Sequence, residues 1–202
     1  MKAQGLYNPA YEHDSCGVGF VCNIKGRPSN KIVKQGVEVL HRLAHRGAVG
    51  ADPKTGDGAG LLIQTPHDFF KKVTAQTSID LPERGAYGSG LIFLPPDNNE
   101  RRFCKEVFEK IIRDQGQIFL GWRAVPIDDS GIGQGAKSTQ SVFEQIFIGR
   151  SKQINDLLAF ERKLYVIRKQ VENFILYSDL KQKAYFYITN ISCRTLSYKG
   201  LL

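Results

Sequence analysis

Only one methionine and one tryptophan occur in the 202 residues, and the four cysteines, at 16, 22, 104 and 193, form neither a CxxC pair nor a run of short spacings. Neither a zinc site nor a disulfide framework is signalled, and this cysteine usage fits a reducing compartment, read here as the cytoplasm. No stretch approaches the roughly 20 consecutive apolar residues that a membrane span needs. The first fifteen residues are polar and carry Glu12, His13 and Asp14 where a secretory signal needs its apolar run, so neither export nor a membrane partner is expected. Twenty glycines and eight prolines are scattered along the chain, which excludes collagen-like and low-complexity classes. No internal repeat is found.

What the chain does contain is 42% hydrophobic and 24% charged residues, enough apolar material for one compact core. The net charge is +8, and the imbalance is C-terminal: residues 1–100 hold 11 Lys and Arg against 10 Asp and Glu, residues 101–202 hold 17 against 10. A basic half can serve nucleic acid if its cations cluster. Here they do not, and groups such as Glu161-Arg162-Lys163 suit the solvated face of a helix, so no nucleic-acid partner is expected.

Hydrophobic periodicity orders the elements. Cys16-Gly-Val-Gly-Phe-Val-Cys-Asn-Ile24 alternates at period two and predicts a strand. Asn30 is the expected cap of a helix with Val33, Val37, Leu40 and Ala44 inward, stopping at Gly47. Leu61–Gln64 predicts a buried strand, and Thr65-Pro66-His67-Asp68 a helix start with Thr65 as cap. Strands are expected at 87–94, 118–125 and 143–148, and helices at 99–115 and from Leu157 to Phe174. The glycine-rich stretch 128–137 reads as a loop, and 184–189 with 194–198 as a hairpin-like strand pair. Strands broken irregularly by helices imply an α/β or α+β domain. Leu201-Leu202 follow a strand and a glycine without a polar tail, from which the domain is expected to be unfinished in this chain.

Several patterns imitate chemistry. Gly131 to Ser138 is one residue from a phosphate-binding loop, but Ala136 stands where the second glycine lets backbone amides wrap a phosphate. Gly56-Asp-Gly58-Ala-Gly60 precedes a strand, the reverse of the dinucleotide-binding order. His41 and His45 sit four apart on a helix, the spacing of a metal pair, but near a helix C-terminus two imidazoles are electrostatically welcome, and no metal is expected there. The informative junction is Asp14-Ser15-Cys16-Gly17. If the leader 1–15 is removed, Cys16 carries a thiol and an α-amine whose pKa of about 7.7–8.0 lets it accept the thiol proton near neutrality. A cysteine at that position can equally be a small core hydrophobe.

Three closely spaced segments then carry a resemblance: Cys16-Gly-Val-Gly-Phe-Val, Leu43-Ala-His-Arg-Gly-Ala-Val-Gly-Ala-Asp52 and Thr55-Gly-Asp-Gly-Ala-Gly-Leu-Leu-Ile-Gln64. Together with Phe160–Lys169 and Ser192–Gly200 they resemble the start of the large subunit of glutamate synthases, along practically the whole chain. The resemblance implies a class II glutamine amidotransferase domain at 16–202 behind a propeptide-like leader at 1–15. The implied fold is an α+β, four-layer αββα sandwich of the N-terminal-nucleophile hydrolase type, incomplete in this chain. Cys16 matches the catalytic nucleophile; Arg46 and Gly47 match the His-Arg-Gly segment that lines the glutamine pocket, although Arg46 can also serve as a cation compensating a helix C-terminus. The implied activity is release of ammonia from L-glutamine for transfer to 2-oxoglutarate. In the family, the arginine that binds the substrate carboxylate and the Asn-Gly oxyanion pair come after the matched region. FMN and an iron–sulfur cluster belong to the full-length family enzyme, and no cofactor is expected on this chain. Expected partners are the remaining synthase domains, or a separate chain supplying them, and a small NADPH-oxidising subunit. The alternative is a catalytically silent fragment or interaction module that needs a partner chain to complete its sheet.

Overall fold

The computed structural model describes residues 17–46, 52, 54–56 and 58–201. Two compact units are distinguished, one of residues 1–59 with 201–202 and one of residues 60–200.

In the first unit, α1 spans Asn30–Leu43 and runs into a 3-10 turn at Ala44–Arg46. Its cap is Ser29 rather than the expected Asn30: the Ser29 backbone is extended, and its Oγ accepts from the Ile32 amide at 3.4 Å. Ile32, Val33, Val39, Leu40 and Leu43 form the half-buried face, whereas Val37 is exposed. The expected strand at 16–24 is not formed over its described residues. Val18, Phe20 and Ile24 are 89%, 90% and 99% exposed. Alternation supplies a strand with an apolar face but not with a ladder partner. Here Gly17 and Gly19 instead lie against the side chains of Leu43 and Val39, and the segment closes on a turn in which Asn23 Oδ1 accepts from the Lys25 and Arg27 amides.

The second unit is built on two sheets. One has the strand order β3-β4-β2-β5, with β2 at Tyr87–Leu94, β3 at Ile118–Ala124, β4 at Val142–Gly149 and β5 at Tyr187–Ile188, all antiparallel. The other pairs β1, Gly58–Gln64, with β6, Thr195–Leu201. Their antiparallel sense is visible where the Thr65 amide donates to the Arg194 carbonyl while Gly60 faces the Tyr198 carbonyl. The chain is therefore α+β with two antiparallel sheets.

Helices α3 (Asn98–Asp114) and α5 (Leu157–Leu176) cover one face of the four-stranded sheet. Cys104, Val107, Phe108, Ile111 and Ile112 from α3 meet Phe160, Leu164, Ile167, Val171 and Ile175 from α5 over Ile92, Leu94, Ile146 and Ile148. The inward row of α5 closes on Ile175, not on the expected Phe174, which is half exposed and stacks beside Phe103 of α3. Gly88 admits this layer: a Cβ there would stand 2.5 Å from a Leu164 methyl. The opposite face carries a second core, in which Tyr87 and Phe147 meet Leu196 and Tyr198 of β6, Ile63 of β1, and Phe70 of α2, His67–Thr74. Layers are thus helices, four-stranded sheet, two-stranded sheet. Strand β1 is half exposed in strict alternation, with Leu62 66% exposed, so it is an outer strand rather than the buried one expected.

A bulge decides what faces this second core. Between Phe119 and Gly121 the register of β3 on β4 shifts by one residue, and Gly121 takes φ +152°, a conformation that favours glycine. Because a one-residue shift exchanges the two faces of a strand, both Phe119 and Trp122 reach the helix-side core, and Arg123 is left opposite Gln145 on the other face.

Two further expectations are corrected. Pro66, not Thr65, is the cap of α2, and the Thr65 hydroxyl is buried without a partner. The glycine-rich stretch contains a short helix, α4, at Gln134–Ser138.

Acid should weaken this unit in a defined way. The amides of Ala159 and Leu158 donate to the Asp156 carboxylate at the start of α5, which holds its pKa below the ordinary aspartate value. Burial would raise Glu172, but hydrogen bonds from Lys169 and Arg168 outweigh it and lower the pKa. Groups with depressed folded-state values stabilise above the unfolded value of about 4 and lose that contribution as pH falls through the folded value. The urea midpoint should therefore hold from neutrality to about pH 5 and then fall. Asp156→Asn, which keeps a capping oxygen but cannot titrate, should flatten part of that fall; an unchanged acid limb would show that the cap bonds do not matter.

Candidate active site

Of the three site residues read from the sequence, Cys16 and Gly47 lie outside the described residues, and Arg46 is the last residue of the 3-10 turn that ends α1. The structure does bring their flanking segments together. A Cβ at Gly17, directly after Cys16, would stand 3.1 to 3.3 Å from the Leu43 side chain, and one at Gly19 would stand 2.6 Å from Val39 Cγ1. Leu43 precedes Arg46 by three residues. A side chain at either glycine would press on these side chains of α1. The 17–19 segment therefore lies along the C-terminal half of α1, the helix that leads into Arg46.

The patterns set aside in the sequence remain without chemistry here. His45 Nδ1 bonds the Arg42 carbonyl at 2.8 Å, His41 is exposed, and among the described residues no three His, Cys, Asp or Glu side chains converge as a metal site. In the phosphate-loop lookalike, the Ser138 hydroxyl is spent on the Gly135 carbonyl. His67 is buried at the start of α2, with Nδ1 3.2 Å from the Tyr87 hydroxyl.

The remaining cysteines are poor nucleophiles or stand alone. Burial pushes the thiols of Cys104 and Cys193 up to about 12, with Glu100 adding to the first and the Glu161 carboxylate to the second. Cys22 is exposed. These three dispersed thiols do not fit an iron–sulfur cluster.

Sequence reading missed two polar arrangements. Glu161 of α5 accepts from the Ser192 hydroxyl and the Cys193 amide, both at 2.8 Å, and so ties the turn before β6 to the helix layer. Arg123 Nη1 donates to Gln145 Oε1 at 3.3 Å, although Gln145 is fully buried. The available signal for the second was a glutamine inside the apolar run 143–148.

Comparison with known proteins supplies the context for this geometry. The family described as "Glutamine amidotransferases class-II" matches residues 16–202. The "Glutamate synthase [NADPH] large chain" of Bacillus subtilis is 46% identical over 201 residues, covering 100% of this chain and 13% of that protein. The "Glutamate synthase [NADH]" of Schizosaccharomyces pombe is 40% identical, covering 100% of this chain and 10% of its own length. The "Ferredoxin-dependent glutamate synthase, chloroplastic" of rice is 38% identical, covering 100% and 12%. The chain thus spans about an eighth of the relatives it matches. With the family match running unbroken from residue 16 to residue 202, this chain belongs to the class-II glutamine amidotransferases.

Proposed function

We propose that this chain is the glutamine-hydrolysing part of a glutamate synthase, that Cys16 is its nucleophile once residues 1–15 are removed, and that Arg46 and Gly47 line the glutamine pocket. The observation that carries the reading is the approach of Gly17 to the end of α1, which sets the residue after Cys16 beside the helix that leads into Arg46. The family match beginning at Cys16 itself supports a mature chain that starts there.

In this mechanism the α-amine of Cys16 takes the thiol proton, and the thiolate attacks the side-chain amide carbon of glutamine. The tetrahedral intermediate collapses as the ammonium returns the proton to the leaving nitrogen, and ammonia departs. A water molecule, deprotonated by the same amine, then cleaves the thioester to glutamate. No histidine is needed, because a terminal amine near pKa 8 is already matched to neutral pH. Arg46 holds the polar geometry of the pocket through a planar fork. The ammonia passes to 2-oxoglutarate elsewhere in the synthase, where FMN and an iron–sulfur cluster supply the reductive chemistry. A four-layer αββα sandwich, a cytoplasmic location, and partnership with the other synthase domains and a small NADPH-oxidising subunit complete the reading.

Arg46→Lys in the full-length polypeptide tests the pocket. Lysine keeps the charge near the helix end but loses the bidentate fork, so glutamine turnover should fall about tenfold or more while the urea midpoint stays close to wild type. Unchanged turnover would leave Arg46 as a charge compensating the helix end and remove it from the site.

A further inference from the structure

We propose that Arg123, paired with Gln145 on the inner face of the four-stranded sheet, is a receiving site for a carboxylate. It is built by the bulge at Gly121, which turns Arg123 away from the helix-side core and toward Gln145.

Arg123 is half-buried, and its Nη1 donates to Gln145 Oε1 at 3.3 Å. Its guanidinium carbon lies 5.8 Å from the centre of the Phe69 ring. None of the ion pairs among the described residues includes it. A guanidinium has five N–H donors, and one neutral acceptor among the described residues leaves this one free to take an anion. Gln145 is fully buried, yet its Nε2 has no acceptor. A cation and an amide donor without an acceptor among the described residues thus meet on the inner face of the sheet. A flat anion with two oxygens matches this set, because a guanidinium fork takes a carboxylate through two parallel N–H bonds. Phe69, 45% exposed, offers an apolar ring beside the guanidinium.

The carboxylate can come from a side chain of the polypeptide or from a free carboxylic acid, and one experiment separates these sources. In the uniformly 15N-labelled full chain, the Arg123 Nε–H signal is assigned by its loss in Arg123→Lys. Sodium acetate is then titrated against sodium chloride at fixed ionic strength. A free-ligand site gives a saturable downfield shift confined to Arg123, weakened about fivefold in Gln145→Leu, the weight of one ordinary hydrogen bond. A site filled by a side-chain carboxylate gives no acetate response, but the Arg123 signal moves through a single carboxylate titration as pH is lowered from 7 to 3. Either result supports the proposal. An Arg123 signal that ignores both acetate and acid, in a chain whose other arginine signals report a folded protein, overturns it.

Discussion

Replacing Cys16 by alanine should abolish glutamine hydrolysis in the full-length polypeptide, by at least about a thousandfold, because without a nucleophile only binding and oriented donors remain. Cys16→Ser should fail almost as badly: the alcohol is a far weaker acid than the thiol, and a terminal amine near pKa 8 is too weak a base to activate it. The other cysteines provide the contrast. Cys104 and Cys193 are buried, with thiols held protonated at neutral pH, so neither can take over. Steady-state glutamate release with enzyme-limited turnover is the measurement, and retention of a tenth or more of wild-type kcat in Cys16→Ala would remove Cys16 from the mechanism.

The largest effect on stability should come from Phe108→Ala. Phe108 is fully buried on α3 and meets the Trp122 ring edge to face at 5.3 Å and the Phe186 ring at 6.1 Å. Truncation removes the transfer energy of the ring and leaves a cavity between the helix layer and the sheet, a loss of about 3–5 kcal/mol. That is a large share of the roughly 5–15 kcal/mol that holds a typical domain together. The position is also the one that locks the bulged strand, since Trp122 reaches the helix-side core only because of the register shift at Gly121. Phe108→Leu, which keeps much of the volume, should cost distinctly less. Urea denaturation of the two variants side by side checks the ranking; a Phe108→Ala loss below 1 kcal/mol would mean that the layer repacks without the ring.

These two predictions draw on different parts of what the sequence makes legible. Strand β2 runs over the residues read from the sequence, Tyr87 to Leu94, because the Pro95-Pro96 pair cannot continue a ladder. Helix α3 ends where Gly116 takes φ +67°, a position an L side chain resists. Both boundaries are local. The errors are non-local. Strands β5 and β6 follow each other closely and were expected to pair, yet β5 joins β2 and β6 joins β1. Asn190 makes that parting possible by bridging the gap with its side chain, Nδ2 donating to the Thr195 carbonyl and Oδ1 accepting from the Ser197 amide. Partner choice between strands depends on faces that meet only after the chain has folded. The N-terminal segment shows the same limit, for its alternation was plain but its contact with α1 was not.

Arg123 and Gln145 were hidden for a related reason. The burial of a polar pair depends on the parity of β3, and one bulged residue reverses that parity without any change in composition. The candidate site stands differently: Cys16, Arg46 and Gly47 are expectations from segment resemblance and the chemistry of a terminal thiol and amine, and the structure adds the approach of Gly17 to Leu43.

The most direct test of the account is covalent. The full-length polypeptide is treated with a diazoketone analogue of glutamine, digested, and the labelled peptide and mature N-terminus are read by mass spectrometry. The account predicts a chain that begins at Cys16 and carries a single adduct on that residue, with protection by excess glutamine. A chain that retains Met1, or an adduct on Cys22, Cys104 or Cys193 in preference to Cys16, would contradict it.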